Sequence, residues 1–242
     1  MDVLPSQILL LCSRASTHSV RSSYRLILKN TGSWAQRRAQ ARKYSSAPKI
    51  DRSNKLFDSA DTAVSDLRSG STILSAGFGL CGVAETIIKA IRARGKESLH
   101  SLTAVSNNAG IEGLGGLSLI TQTGQVNKLI ISFLGNNKAL EKKYLRGDIT
   151  IELCPQGTLA ERIRAGGVGV PAFYTPTAVN TLLQDGMIPA QFDGEGKVVK
   201  YGTPRETREF NGRTYLMETA LQGDVAILRA WKVDEAGNCQ FR

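Results

Sequence analysis

From Lys49 onward, apolar and polar positions follow two different periods. Over Asp58–Leu67 the apolar residues Ala60, Ala63, Val64 and Leu67 recur at helical spacing, and over Val83–Arg94 Ile87, Ile88 and Ile91 share one face of a second helix. Between them Thr72–Ala76 is a short apolar run closed by glycine, the form of a buried strand. Leu102–Val105 and Val126–Phe133 read as further strands, Asn136–Tyr144 as a helix, Ile149–Leu153 as a strand and Thr158–Arg164 as a helix. Thr158 with Glu161 three residues on has the form of a capping box, in which hydroxyl and carboxylate each satisfy a backbone N–H of the other residue. Strand–helix alternation of this kind predicts an α/β fold, an open and mostly parallel sheet with helices on both faces. After Pro171 the pattern shortens. Turn signals at Asp193-Gly194-Glu195-Gly196 and Asn211-Gly212 separate brief runs, and Arg213–Met217 and Val225–Trp231 are predicted strands of a smaller antiparallel flap or edge.

The first fifty residues are different in kind. They hold nine of the chain's 31 Lys and Arg but one acid, Asp2. As a helix, this stretch would place Arg14, Arg21 and Arg25 on one face and Val20, Tyr24, Ile27 and Leu28 on another. A basic, acid-poor, amphipathic leader is the pattern of a mitochondrial transit peptide, and Arg42-Lys43-Tyr44-Ser45 resembles a site cut by matrix processing peptidases. A secretory signal fits worse, because the apolar core Ile8–Cys12 is short and the charge follows it. Residues 1–44 are therefore expected to be a transit peptide for import into the mitochondrial matrix, with residues 45–242 as the folded domain. The competing reading is a disordered basic arm.

Composition narrows the chemistry. The chain of 242 residues has a formal charge of +10, but most of that excess sits in the leader, so the body is nearly neutral and carries no sign of a nucleic-acid surface. No apolar run approaches the ~18 residues of a membrane span. Cys12, Cys81, Cys154 and Cys239 form no C-x-x-C pair, which speaks against a disulfide framework or a zinc site and for buried thiols in a reducing compartment. His18 lies in the leader, so His100 is the one imidazole of the body; two-histidine metal sites are excluded within this chain, and its Ser-Leu-His-Ser-Leu setting does not suggest a catalytic triad.

Gly77-Phe78-Gly79-Leu80-Cys81-Gly82 matches G-x-G-x-x-G between a predicted strand and helix, which raises a nicotinamide dehydrogenase as one alternative. That fold needs an acidic residue about 20 positions on to hold the ribose. The second strand instead ends in Ser106-Asn107-Asn108, and the bulky Phe78 and Leu80 suggest a loop packed on its own side chains. Amides recur at the other strand end, in Cys154-Pro155-Gln156-Gly157-Thr158. Beyond the carboxyl ends of parallel strands, amides can donate to a carbonyl or carboxylate oxygen without titrating, as an oxyanion hole requires.

Three blocks together resemble the class I CoA-transferases, in particular their succinyl-CoA:3-oxoacid branch: Ala76–Gly82, Ser106-Asn107-Asn108-Ala109-Gly110, and Pro155–Gly167 with its Thr-Leu-Ala-Glu-Arg-Ile-Arg-Ala-Gly-Gly core. Val170–Thr177 continues the likeness, which runs in order from about Asp51 to Arg242. Ala76 and Ala84 stand where the family's glycine signature usually has Gly and Pro, which implies a slightly altered loop. The resemblance implies a CoA-transferase fold and CoA transfer from succinyl-CoA to a 3-oxo acid such as acetoacetate. It implies Asn107, Asn108 and Gln156 as substrate and oxyanion residues, and Gly77, Gly79 and Gly82 as a loop shaping the wall between two halves. The family's nucleophilic glutamate comes from a second half, in a Ser-Glu-Asn-Gly motif, and so is expected outside this chain. By that resemblance residues 45–242 are an N-terminal, A-type domain cut before the catalytic half and inactive alone. The implied partners are a complementary B-type half and, in the complete enzyme, a homodimer. No cofactor and no metal are expected, since the CoA thioester is itself a substrate. A non-catalytic acyl-CoA-binding or regulatory half is the alternative from another class. Glu112 matches nothing catalytic and reads as a solvated loop residue, and Arg162 with Arg164 reads as a solvated helix face.

Overall fold

The computed structural model describes residues 8–11, 57–135, 137–234 and 237–241. In chain order these form β1 (Ile8–Leu11), α1 (Ala60–Ala63), β2 (Thr72–Ser75), α2 (Glu85–Ala93), α3 (Gly95–Ser98), β3 (Leu102–Ser106), α4 (Ser118–Gln122), β4 (Val126–Ile131), α5 (Lys138–Leu145), β5 (Thr150–Leu153) and α6 (Gln156–Val168). There follow β6 (Ala172–Thr175), β7 (Pro189–Phe192), β8 (Val198–Tyr201), β9 (Thr207–Phe210), β10 (Arg213–Thr219), β11 (Val225–Arg229), β12 (Lys232–Val233) and β13 (Cys239–Gln240).

The main sheet has the order β1-β11-β2-β3-β4-β5, parallel from β11 to β5, with β1 antiparallel at the edge. Its central strands β3 and β4 are buried on both faces, and their alternation shows it. Leu102 and Ala104 of β3, with Leu129 and Ile131 of β4, enter a large core beside Ile87, Ile88 and Ile91 of α2. Val105 and Ile130 enter a smaller core on the other face, against Leu159 of α6. Helices therefore cover both faces, as the α/β pattern predicts. The region after Pro171 supplies the antiparallel pieces: β10 pairs with β6 and β9, β7 with β8, and β12 with β13. No helix among the described residues is long and apolar enough to cross a membrane.

Several expectations are corrected. Val225–Arg229 does not join the flap; it lies parallel to β2 inside the main sheet, where its Val-Ala-Ile-Leu run can be covered on both faces. Reciprocal bonds between Asp224 and Thr72 pin its entry, Thr72 N to Asp224 Oδ2 at 2.8 Å and Asp224 N to Thr72 O at 2.9 Å. The capping box fails as well. Pro155, with φ −54°, starts α6 at Gln156, so Thr158 falls inside the first turn, where its buried Oγ1 has no partner. Glu161 pairs with Arg164 instead, at 2.6 Å. The first predicted helix shortens to Ala60–Ala63, capped by Ser59, whose hydroxyl accepts from Thr62 N.

The two arginines of α6 part company. Arg164 is exposed, as a solvated face requires, but Arg162 is buried against the sheet with 8% of its side chain exposed. Its Nη1 donates to Glu152 Oε1 at 2.8 Å and its Nε to Thr219 O at 2.9 Å, with Glu218 Oε2 at 3.9 Å. Arg205 completes the cluster on Glu218, at 3.0 Å, and Lys128 on Glu152, at 2.7 Å. The predicted transit helix and processing site lie outside the described residues, whereas Ile8–Leu11, which that reading leaves out of the fold, pairs with β11.

Candidate active site

Parallel strands in matched register bring their carboxyl ends to one level. Ser106 of β3 stands opposite Ile131 of β4, and Ile131 opposite Leu153 of β5. The residues that follow, Asn107, Ser132 and, after Cys154-Pro155, Gln156, therefore emerge side by side. Both backbone N–H groups of Ser132 and Phe133 donate to Asn107 O, at 2.9 and 3.1 Å, which ends β4 earlier than its apolar run suggests.

The three side chains close on one another. Asn107 Nδ2 donates to Ser132 Oγ at 2.8 Å and to Gln156 Oε1 at 2.9 Å. Ser132 Oγ lies 2.6 Å from Gln156 Oε1 and 3.0 Å from Asn107 O. Asn107 O already accepts two backbone N–H groups, so the single hydroxyl proton is best placed toward Gln156. Both donors of the buried Asn107 amide are thus committed inside the cluster. The exposed Gln156 keeps its carboxamide N–H groups without a partner among the described residues. The expectation of equivalent amide donors is refined accordingly: Gln156 presents donors, while Asn107 and Ser132 hold it. As the first residue of a thirteen-residue helix, Gln156 also stands in the positive end of the helix dipole.

Asn108 does not join this cluster. Its Oδ1 accepts Gly110 N at 2.9 Å, tightening the loop after β3. Gly110 has φ +80°, and a Cβ there would meet Gly115 O at 2.2 Å, so only glycine allows the loop to fold back on itself. Asn137 Nδ2 donates to Gly110 O at 3.3 Å and its Oδ1 caps α5. Glu112 accepts Ala139 N at 3.0 Å at the same helix start, an exposed capping role in keeping with a loop residue.

The glycine loop forms a narrow hairpin in which Phe78 and Cys81 exchange backbone bonds of 3.0 and 3.1 Å. Gly77 has φ +130°, and a Cβ on it would sit 2.7 Å from Val83 Cγ2; Gly79 and Gly82 take φ +63° and +71° in open space. The loop is not packed on its own side chains, since Phe78 is 67% exposed and Leu80 is exposed too. With Ile111 and Leu114 after β3 and Phe133 after β4, they give the strand-tip loops an apolar surface. Glu85, the first residue of α2, turns its carboxylate onto Gly116 N at 2.9 Å, and β3 ends without the acid that a dinucleotide site uses for the ribose.

His100 is exposed just ahead of β3, at the opposite end of that strand, with Nδ1 3.0 Å from Ser101 Oγ. The cysteines do not share one environment. Cys81 is exposed in the glycine loop and Cys239 half-buried, which corrects the expectation of uniformly buried thiols; Cys154 alone of the described three is buried. Burial pushes the Cys154 thiol up, opposed by the Arg162 guanidinium at 3.8 Å. Among the described residues no group of three or more His, Cys, Asp or Glu is placed to hold a metal ion. Ser132 is the residue that sequence reasoning missed: it sits in an apolar run as its first polar side chain after Lys128, and only strand register reveals its neighbours.

Comparison with known proteins follows the same lines. The family profile described as Coenzyme A transferase matches residues 57–242. The chain is 46% identical over 180 residues to the mouse mitochondrial succinyl-CoA:3-ketoacid coenzyme A transferase 2A, covering 74% of this chain and 34% of that one. It is 44% identical over 203 residues to the human mitochondrial transferase 2, covering 84% and 38%. With the probable A-type subunit of the succinyl-CoA:3-ketoacid transferase from Mycobacterium tuberculosis it shares 43% over 189 residues, covering 78% of this chain and 75% of the bacterial one. The chain thus spans about a third of the mammalian relatives' length and three-quarters of the bacterial protein's. In structure, an acyl-CoA transferase of Escherichia coli O157:H7 matches with a TM-score of 0.57 at 22% identity, over 69% of this chain and 33% of that one. Glutaconate coenzyme A-transferase of Acidaminococcus fermentans matches at 0.56 and 16%, over 76% and 59%.

Proposed function

This chain belongs to the coenzyme A transferase family, and on that premise we propose that it is the A-type half of a succinyl-CoA:3-oxoacid CoA-transferase, acting with a complementary B-type half. The observation that carries the reading is the closed Asn107–Ser132–Gln156 cluster at the strand tips, which fixes a neutral donor without a titrating group. In this mechanism a glutamate carboxylate of the complementary half attacks the thioester carbonyl of succinyl-CoA. The C–S bond breaks, CoA leaves as the thiolate, and a mixed anhydride forms. The thiolate then attacks the glutamyl carbonyl, releasing succinate and leaving a glutamyl-CoA thioester. Acetoacetate enters and the two steps run in reverse.

Each step builds negative charge on a carbonyl oxygen. Gln156 Nε2 meets that charge, assisted by the α6 dipole, and Asn107 and Ser132 keep the amide from rotating; one well-placed donor of this kind supports ~3–4 kcal/mol of barrier lowering. No histidine proton shuttle is needed, in keeping with His100 standing at the other end of β3. The exposed Phe78, Leu80, Leu114 and Phe133 surround the tips as an apolar face for the second half, and the glycine loop shapes the wall between the two. The CoA thioester is substrate, so no resident cofactor is required. The basic leader supports a matrix location, and the complete enzyme is read as a homodimer.

The experiment is reconstitution: the purified chain is mixed with a B-type half and acetoacetyl-CoA is followed by its enolate absorbance. Turnover with Gln156→Ala is expected to fall by ~10²–10³ in kcat while association of the halves is unchanged. Full activity of that variant refutes the reading, and acyl-CoA binding without turnover by any reconstituted pair supports a non-catalytic half instead.

A further inference from the structure

Away from the strand tips, edge strand β5, helix α6 and the β7–β8 hairpin enclose a cavity of about 450 Å³ that shares no residue with the Asn107–Ser132–Gln156 cluster. Its size lies within the ~300–1,000 Å³ typical of small-molecule pockets. Lys128, Arg162, Lys200 and Arg205 line it against two acids, Glu152 and Glu206. Even when the buried Glu218 beneath the arginines is added to the acids, one positive charge is left over.

The donors are as telling as the charge. Arg162 commits Nε to Thr219 O and Nη1 to Glu152; Arg205 commits Nε to Glu218 and Nη1 to Thr203 O, at 2.6 Å. In both, Nη2 has no partner among the described residues. Thr158 Oγ1 is the one fully enclosed side-chain polar atom among the described residues that lacks a partner, so neither Nη2 is fully enclosed, and both belong to side chains that line the cavity. Lys200 Nζ is unpartnered too, while Lys128 is held by Glu152 at 2.7 Å and Glu206 accepts the Tyr174 hydroxyl at 2.8 Å. Leu183, Ile188 and Met217 give the cavity an apolar wall.

We propose that this cavity binds a small organic oxyanion. A carboxylate or phosphate head is held by Arg162 Nη2, Arg205 Nη2 and Lys200 Nζ, with a short carbon body against Leu183, Ile188 and Met217. Planar guanidiniums fixed by their own ion pairs are suited to such heads, because little side-chain freedom remains to be lost on binding.

The test is calorimetric titration of the 242-residue chain at constant ionic strength with inorganic phosphate and, separately, with glutarate. Saturable binding of one or both is expected, and the stronger of the two identifies the head as phosphate or carboxylate. Arg205→Gln is expected to weaken it about tenfold or more, the worth of one charge-assisted hydrogen bond. Lys200→Gln alters an exposed, unpaired side chain that folding does not need, and is expected to weaken it about threefold or more. Absence of saturable binding by both probes, or unchanged affinity in Lys200→Gln, overturns the proposal. Binding lost in Gln156→Ala but kept in Lys200→Gln also overturns it, by moving the ligand to the strand tips.

Discussion

Replacing Arg162 by Met keeps most of the side-chain stem and removes the charge and its donors. With 8% of the side chain exposed, water makes up only part of the loss: Glu152 and Thr219 border the cavity, but Glu218, 2% exposed, stays buried. Breaking a buried pair costs ~3–5 kcal/mol. Here each carboxylate retains one cation, Lys128 at 2.7 Å for Glu152 and Arg205 at 3.0 Å for Glu218, which places the loss at the lower end, ~3 kcal/mol. For a domain of ~150–250 residues that corresponds to a fall in Tm of roughly 6–12 °C. Urea unfolding followed by far-UV circular dichroism measures it, with equal slopes required before midpoints are compared. Two controls sharpen the result. Arg164→Met, on an exposed pair, is expected to stay within ~0.5 kcal/mol of the parent. Glu218→Gln added to Arg162→Met is expected to depart from additivity by ~0.5 kcal/mol or more, because the two share one network. A loss below ~1 kcal/mol, or a value indistinguishable from that of Arg164→Met, refutes the burial argument.

Ser132→Ala removes the hydroxyl that accepts from Asn107 and donates to Gln156. The separate side-chain amide signals of Asn107 and Gln156 in ¹⁵N spectra are expected to sharpen and exchange faster, with ~1 kcal/mol of stability lost and Ser132→Thr restoring them; unchanged amide exchange contradicts the cluster. Gly110→Ala forces a Cβ against Gly115 O and strains a backbone at φ +80°, so thermal melts are expected to lose ~1–3 kcal/mol or more, and an unaltered melt contradicts the loop geometry. Burial pushes the Glu152 carboxyl up, but hydrogen bonds and charge from Lys128 and Arg162 outweigh it and hold the group below its ordinary 4.5. The folded state therefore binds its proton less readily than the unfolded chain. This contribution is full above pH 4.5 and is lost as pH falls through the lower folded value, so Glu152→Gln should flatten the acid limb of stability against pH; an identical limb in the variant contradicts it.

The strand-tip chemistry is partly legible in the order of residues. Resemblance points to Asn107 and Gln156, but not to the division of labour between them, because which amide donates outward depends on where each carbonyl is bonded. Ser132 leaves no local signal, since a serine closing an apolar run looks like the end of a strand. Asn108 is expected to share its neighbour's role, yet alternation at a strand end sends adjacent side chains to different places, one into the cluster and one into the turn.

Short-range order alone determined where β2 to β5 run and where α2 lies, because period-2 and period-3.6 burial is written into consecutive residues and holds whatever the rest of the chain does. Tertiary structure decided what depends on distant partners. Val225–Arg229 was recognisable as a strand, but its place beside β2 is set by pairing across some 150 residues. Arg162 and Arg164 are two residues apart on a weakly amphipathic helix, and only the packing of α6 on the sheet buries one and exposes the other. The amide cluster exists because three strands end in register, and register is a property of the assembled sheet.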